Sequence, residues 1–157
     1  MREKNIDYIV HEMIQIIEKY NYRHNLFGGG CAYAAYLIAN ACRTLGIQYK
    51  TIMYQYKGIL EETDFNKAIN NSSGVAHVGI SVELHGIPQI IGSDAGVRQY
   101  FYITRQAYAI RKYEGISPEA ILSGYRNNVW NTCYDRRNNG PLTREFNLLV
   151  SKYSEIR

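Results

Sequence analysis

The chain has 157 residues, of which 46% are hydrophobic and 20% charged, so we expect one soluble globular domain over residues 1–157. No apolar run approaches the roughly 20 residues needed to cross a bilayer. The charged, amphipathic N-terminus also lacks the apolar core and cleavage site of a secretory signal. These features predict a cytoplasmic protein with no membrane partner.

The apolar pattern predicts two N-terminal helices. Apolar side chains at three- and four-residue steps favour an amphipathic helix over residues 4–20, followed by a loop over residues 21–30. A second helix is predicted over residues 32–45, and Gly46 is expected to end it. Its buried side consists of small and aliphatic side chains, namely Ala34, Leu37, Ile38, Ala41 and Leu45.

The middle of the chain has the pattern of antiparallel strands. Alternation of polar and apolar residues predicts strands over residues 48–56, 74–84 and 87–92. Only His85 and Gly86 separate the last two strands, which is the spacing of a hairpin with a short turn.

Between and after these strands the pattern is weaker. The polar segment 57–73 is a candidate rim or lid over a site because of its length. The remaining predicted elements are a short helix at 65–70, further strand over 100–112, a helix that starts at Ser117-Pro118-Glu119, a loop over 127–140 and a closing helix over 141–155.

The basic charge is concentrated towards the C-terminus. The net charge is +4, and residues 98–157 alone carry 10 basic and 5 acidic side chains, together with many of the 15 tyrosines. Interleaved Tyr and Arg side chains can stack on and clamp nucleic acid. The composition nevertheless favours a solvated polar surface over a nucleic-acid site. A protein partner is the other open reading of this surface.

Three cysteines are present, and one of them stands in a setting that suits a nucleophile. Cys31 follows three glycines and precedes an Ala-rich helix, whereas Cys42 is interpreted as a small core residue; the third is Cys133. Free backbone N–H groups and the positive end of the dipole at a helix start favour a thiolate. The cysteine spacings match no metal pattern, so we expect no metal and no cofactor.

A cysteine nucleophile needs a base and a residue that orients the base. His77 lies eight residues before the predicted turn and Asp94 eight residues after it, so they are expected to face each other across the hairpin. Taken alone, Cys31 suits a buried small residue, His77 a strand histidine and Asp94 a turn former. Their order and offsets together favour a triad. His24, close to the glycines, is the rival to His77.

These residues carry a resemblance to a known family. The segments GGGCAYAAYLIANACRTLGI, AHVGISVELHG and IIGSDAG resemble the transglutaminase-like branch of the papain-like cysteine peptidase superfamily. The resemblance covers residues 25–96. It implies an α+β fold with a papain-like (transglutaminase-like) core, in which N-terminal helices, including the nucleophile helix, pack on an antiparallel sheet.

The resemblance also implies roles for individual residues. Cys31 would be the nucleophile, His77 the general base and acid, and Asp94 the residue that orients His77. The Cys31 backbone N–H and Asn25 would form the oxyanion hole, although the papain-like peptidases have Gln at the Asn25 position. The candidate substrate-binding residues are Gly29, Gly30, Gly79 and Trp130, with packing as the alternative role of Trp130.

Two departures from the family pattern concern the substrate. Ala32 stands where an aromatic residue commonly follows the cysteine, and Gly79 stands where one often follows the histidine by two positions. We therefore expect a cysteine hydrolase or acyltransferase whose substrate carries a peptide or amide bond. The alternative is an inactive relative that binds a protein or nucleic acid through its Tyr/Arg-rich C-terminal third.

Overall fold

Two helices precede the first strand and two follow the last in the computed structural model, which describes residues 3–24, 30–55, 61–71, 76–92, 96–99, 109–127 and 139–154. The helices of this part of the chain are α1 (Glu3–His24), α2 (Gly30–Leu45), α3 (Phe65–Asn71), α4 (Pro118–Asn127) and α5 (Asn139–Ser154). Its strands are β1 (Lys50–Gln55), β2 (Ala76–Leu84), β3 (Ile87–Gly92), β4 (Gly96–Gln99) and β5 (Ala109–Tyr113).

The strands form one sheet in the order β4-β3-β2-β1-β5. Every neighbouring pair in that order is antiparallel. Because the helices are not crossovers between parallel strands, the architecture belongs to the α+β class, as predicted.

The two faces of the sheet carry different clusters. Successive strand residues point to opposite faces, and Met53, Val78 and Ile80 pack in the main core together with α1 and α2. We call this the helix face. The opposite face, here the second face, carries a smaller cluster of Ile52, Tyr54 and Ile90 that is also buried.

The N-terminal helices were predicted correctly in kind and too short in extent. α1 runs on to His24 and α2 begins at Gly30, so the expected loop over residues 21–30 shrinks to the interval between them. No glycine or proline stands within residues 3–24 to stop α1 earlier. Its buried apolar residues are Ile9, Val10, Met13, Ile17 and Tyr20.

α2 ends as predicted, and the geometry explains why. Gly46 has a φ of 74°, the left-handed conformation that glycine adopts without strain. The Ile47 N–H donates to the Cys42 carbonyl over 2.8 Å and the Gly46 N–H to the Arg43 carbonyl over 3.3 Å. These two bonds form a Schellman motif, which satisfies the last carbonyls of the helix and turns the chain towards β1.

The hairpin of β2 and β3 is also confirmed. His85 and Gly86 have φ values of 53° and 78°, as in a type I′ turn, whose twist matches that of the flanking strands. Leu84 pairs with Ile87 next to the turn. His85 Nε2 lies 2.8 Å from Asp7 Oδ2, which places the start of α1 beside this turn.

One strand was missed. The prediction ended the hairpin with the strand over residues 87–92, but β4 begins at Gly96 and pairs with β3, Ile91 opposite Val97. β4 has only four residues, which is too short for an alternating pattern to be recognised.

The C-terminal elements agree with the prediction where they are described. β5 continues to Tyr113, and Ser117 Oγ accepts the Ala120 N–H over 3.2 Å at the start of α4. α5 starts two residues earlier than predicted. Its buried face contains Leu142, Phe146, Leu149 and Tyr153, the four residues expected there.

The predicted short helix in the 57–73 segment is confirmed as α3, and it is docked on the protein. Phe65, Ala68 and Ile69 are buried. The Ile69 side chain lies against Gly124 of α4. The rest of the predicted rim or lid stays a prediction, since residues 57–60 and 72–73 lie outside the described residues.

Candidate active site

Several elements meet at one end of the sheet. β1 ends there at Gln55, and β2 begins there at Ala76, because these two residues are paired. We call this the upper end. α1 starts at the opposite end, beside the β2–β3 turn, and its 22 residues form about 33 Å of helix.

α2 packs against β2 and β3, and the chain turns after Gly46 towards β1. Sixteen helical residues span about 24 Å, whereas the six residues of β1 span about 20 Å. α2 is therefore long enough for its first turn, with Cys31, to reach the end of the sheet at which β2 begins.

Cys31 is a free cysteine in that first turn. Its side chain is 5% exposed and belongs to the main core cluster. The N–H groups of a first helical turn have no partner within the helix, so they can donate to a negative charge on a thiolate or on a bound oxyanion. Cys31 therefore has the helix-start environment predicted for it.

Cys42 differs from Cys31 as predicted. Its side chain is fully buried, and burial raises the pKa of its thiol to about 12. A thiol that keeps its proton at neutral pH is inert as a nucleophile. Cys133 lies outside the described residues.

His77 is the second residue of β2 and is half-buried. It is paired with Tyr54 of β1, and the two rings stack with their centroids 5.5 Å apart and an interplanar angle of 23°. Tyr54 belongs to the cluster on the second face. The His77 imidazole therefore lies on the second face of the sheet.

Asp94 lies outside the described residues, but the register up to it is informative. The observed ladder of β2 and β3 runs from Leu84 and Ile87 beside the turn to Ile80 and Ile91. The equal spacing from the turn that suggested this pair is thus consistent with the observed part of the ladder. The predicted contact between Asp94 and His77 stays a prediction.

Cys31 and His77 approach the upper end from different faces. Cys31 packs in the core on the helix face, with Val78, the residue after His77, in the same cluster. The His77 ring leaves the strand on the other side, towards Tyr54. A thiol–imidazole pair would have to form around the end of the sheet rather than between α2 and the sheet.

The other predicted residues differ in what can be said of them. Asn25, Gly29 and Trp130 lie outside the described residues. Gly30 is the buried first residue of α2. A Cβ on Gly79 would lie 3.0 Å from Ile90 Cγ2, so packing alone explains this glycine. Its role in substrate binding stays a prediction.

The remaining histidines are placed as the sequence suggested, with one correction. His11 is exposed in the middle of α1, and His85 is exposed at the turn. His24 was expected in a loop but is the last residue of α1, since that helix continues past Tyr20. Its role as the rival base to His77 stays a prediction.

Tyr54 was not singled out from the sequence. Its ring is 2% exposed although it lies beside a half-buried histidine. A Cβ built on Gly79 would stand 3.7 Å from Tyr54 Cε1, and one on Gly92 would stand 3.8 Å from its hydroxyl. Two glycines on neighbouring strands therefore make room for this ring, a non-local signal that one sequence does not display.

A groove of about 560 Å³ lies at the other end of the sheet, between the end of α2 and the start of α4. Its charged side chains are paired: Arg43 binds both oxygens of Glu119, and Lys50 lies 3.2 Å from Glu114. The Tyr49 hydroxyl donates to the Ile116 carbonyl across it. Because these charged side chains are paired with one another, the groove offers no evident catalytic residue.

Within the described residues, no three His, Cys, Asp or Glu side chains are grouped to hold a metal ion. In the same part of the chain, no helix is long and apolar enough to span a bilayer.

Comparison with known proteins gives no assignment. No protein-family model matches the chain, and neither a curated protein nor a solved structure is detectably similar to it.

Proposed function

We propose that the chain is a cysteine hydrolase or acyltransferase that acts on an amide or peptide bond, with a papain-like core of the transglutaminase-like kind. One observation carries the proposal: Cys31 lies in the first turn of α2, and α2 packs against β2, the strand whose second residue is His77. A cysteine at a helix start with a histidine on a neighbouring element is the arrangement that thiol catalysis uses.

In the proposed reaction the Cys31 thiolate attacks the carbonyl carbon and forms a C–S bond. The oxygen of the tetrahedral intermediate is held by the Cys31 backbone N–H and the Asn25 side chain. The C–N bond then breaks, and His77 gives its proton to the leaving amine, which leaves a thioester on Cys31. Asp94 holds the imidazole in the tautomer that this transfer needs.

The second half of the reaction decides the product. Water or an amine attacks the thioester and gives its proton to His77 while the C–S bond breaks. Attack by water gives hydrolysis and attack by an amine gives acyl transfer. Gly29 and Gly30, which directly precede Cys31 in the sequence, would let a substrate backbone come close, because glycine has no side chain.

An acyl-enzyme trap tests this proposal without knowledge of the substrate. The chain is treated with an activated ester, p-nitrophenyl acetate, at neutral pH, and the acylated residue is identified by peptide mass spectrometry. We expect stoichiometric acylation of Cys31 with fast release of nitrophenolate, and none in Cys31→Ser. Cys42 is the internal control, since its buried thiol must stay unmodified in folded protein. Acylation spread over lysines at the rate of Cys31→Ser would refute a nucleophilic Cys31.

A second candidate function is favoured by the stacking of His77 on Tyr54. A histidine held on the face opposite to α2 suits a structural role, in which case the fold is an inactive relative that binds a partner through its basic C-terminal third. That candidate predicts salt-sensitive binding of an acidic ligand, such as a short single-stranded RNA, which survives Cys31→Ala.

A further inference from the structure

We infer that Tyr54 is a positioning residue that fixes the plane of the His77 imidazole; the inference rests on the proposed role of His77 as the base. The two residues are direct partners across β1 and β2. Their rings stack at 5.5 Å and 23°, so Tyr54 covers one flat side of the imidazole. Stacked aromatic pairs at this spacing attract each other, beyond the area that they bury.

Tyr54 can fix another ring because its own ring cannot move. It is 2% exposed and packs with Ile52, Ile90 and Ile110 on the second face. The glycines on β2 and β3 described above border the ring, so it lies close to the backbone of both strands. A larger residue at either glycine would crowd the ring.

The glycine at position 79 is the tighter of the two. A Cβ there would stand 3.0 Å from Ile90 Cγ2, whereas a Cβ at Gly92 would meet its neighbours at 3.5 Å or more. The Gly79 position therefore admits no side chain without moving Ile90. Next to Tyr54, the packing therefore leaves no room for a side chain at Gly79 on β2 but accepts a Cβ at Gly92 on β3.

The stack constrains how His77 can act. A histidine held flat against a buried ring has its plane fixed, and only the two orientations related by a half-turn about its Cβ–Cγ bond keep the stack. A group that orients the imidazole must then lie in that plane, at the nitrogen that carries the proton.

The test separates the ring of Tyr54 from its hydroxyl. His77 is followed by NMR in the labelled full-length chain, through its tautomer and its contacts with residue 54, in the parent, Tyr54→Phe and Tyr54→Leu. The rate of Cys31 alkylation at neutral pH is measured in the same proteins. Tyr54→Phe keeps the stacked ring, so we expect an unchanged His77 and an alkylation rate within about twofold of the parent.

Tyr54→Leu removes the ring, and we expect a mixture of imidazole tautomers. The alkylation rate should fall by tenfold to a hundredfold, the order expected when a catalytic group is misplaced by about 1 Å. Ile52→Val is the matched control, since it removes one methyl group from the same cluster and leaves the stack intact. It should change neither readout.

The outcomes distinguish this inference from the proposed function. If the parent shows no contact between the two rings, or Tyr54→Leu folds and leaves the His77 tautomer and the Cys31 rate unchanged, the inference is wrong and the function can stand. If Cys31 alkylation in the parent does not depend on His77, the proposed function fails, and Tyr54 orders a histidine with no part in a reaction. If Tyr54→Leu does not fold, two other measurements decide the inference. One is the contact between the two rings in the parent. The other is Gly79→Ala, which displaces Ile90 next to Tyr54 and in which the His77 tautomer and the rate of Cys31 alkylation are measured again.

Discussion

Gly124 of α4 provides a quantitative test of how α3 is docked. A Cβ at this position would stand 2.7 Å from both Cδ1 and Cγ2 of Ile69 and 2.8 Å from its Cγ1. Carbon atoms in good contact are about 3.5–4.0 Å apart, so Gly124→Ala requires a displacement of about 1 Å. Ile69 is fully buried, and all three of its outer carbons are too close, so a change of rotamer does not relieve the clash.

Two opposing effects set the magnitude. Replacing glycine by alanine inside a helix stabilises it by about 1 kcal/mol, whereas overpacking a core contact costs about 1–3 kcal/mol. We therefore expect Gly124→Ala to lower the free energy of unfolding by about 1 kcal/mol. With a urea m-value of about 1–3 kcal/mol/M, the midpoint of urea unfolding would shift down by roughly half a molar unit.

The control is Gly140→Ala in the first turn of α5, where a Cβ meets no atom within 4 Å. This variant lacks the clash, but it stands directly before Pro141, which disfavours the helical conformation for a residue with a Cβ, so it gains little helical benefit and should be about as stable as the parent. Combining Gly124→Ala with Ile69→Ala should cost less than the sum of the two single changes, because the new methyl group fills part of the space that Ile69 leaves. If Gly124→Ala proves as stable as Gly140→Ala, the described packing of α3 on α4 is refuted.

Two further predictions concern pH and the end of α2. Burial raises the pKa of the Cys42 thiol from 9.0 to about 12, and burial with a hydrogen bond to Glu12 raises the pKa of Tyr153 from 10.0 to about 12. Both groups keep their protons in the folded state, so the free energy of unfolding that they contribute is intact below pH 9 and is lost as the pH rises towards 12. Equal midpoints of urea unfolding at pH 8 and pH 11 would contradict this prediction. Gly46→Ala should lower the free energy of unfolding by about 1 kcal/mol, because alanine is strained at a φ of 74°, and an unchanged thermal midpoint would rule out the Schellman end of α2.

The features predicted correctly from the sequence are those that depend on neighbouring residues. The turn at His85 and Gly86 and the helix end at Gly46 follow from the positive φ angles that short turns and helix ends need. The buried stripe of α2 follows from its spacing. The error in α1 has a local cause too, since no glycine or proline stands within residues 3–24 to stop the helix earlier.

The face of the sheet on which His77 lies could have been predicted from the sequence. In β2, Val78, Ile80 and Val82 alternate with His77 and Gly79, and alternation puts the aliphatic residues on the face that meets the helices. The same pattern turns His77 away from α2. Offsets along the hairpin predicted the pairing with position 94, but pairing does not state the face.

Two features required the three-dimensional arrangement. β4 has only four residues, and it is recognised as a strand by its pairing with β3 rather than by a pattern in its own sequence. Tyr54 acquires its environment from residues on two other strands, Gly79 and Gly92, which are far from it in sequence. A single sequence gives no indication that these positions belong together.

The central claim is that Cys31 and a histidine at the upper end of the sheet act as a catalytic pair. The most direct measurement is the rate of Cys31 alkylation by iodoacetamide from pH 5 to 10, quantified by peptide mass spectrometry in the parent, His77→Ala and His24→Ala. The proposal predicts a thiol that reacts with a pKa below the ordinary value near 8.5, a low pKa that is lost in His77→Ala and kept in His24→Ala, and no reaction at Cys42. Loss in His24→Ala alone would move the base to α1. Slow alkylation with an ordinary pKa in all three proteins would contradict the catalytic account.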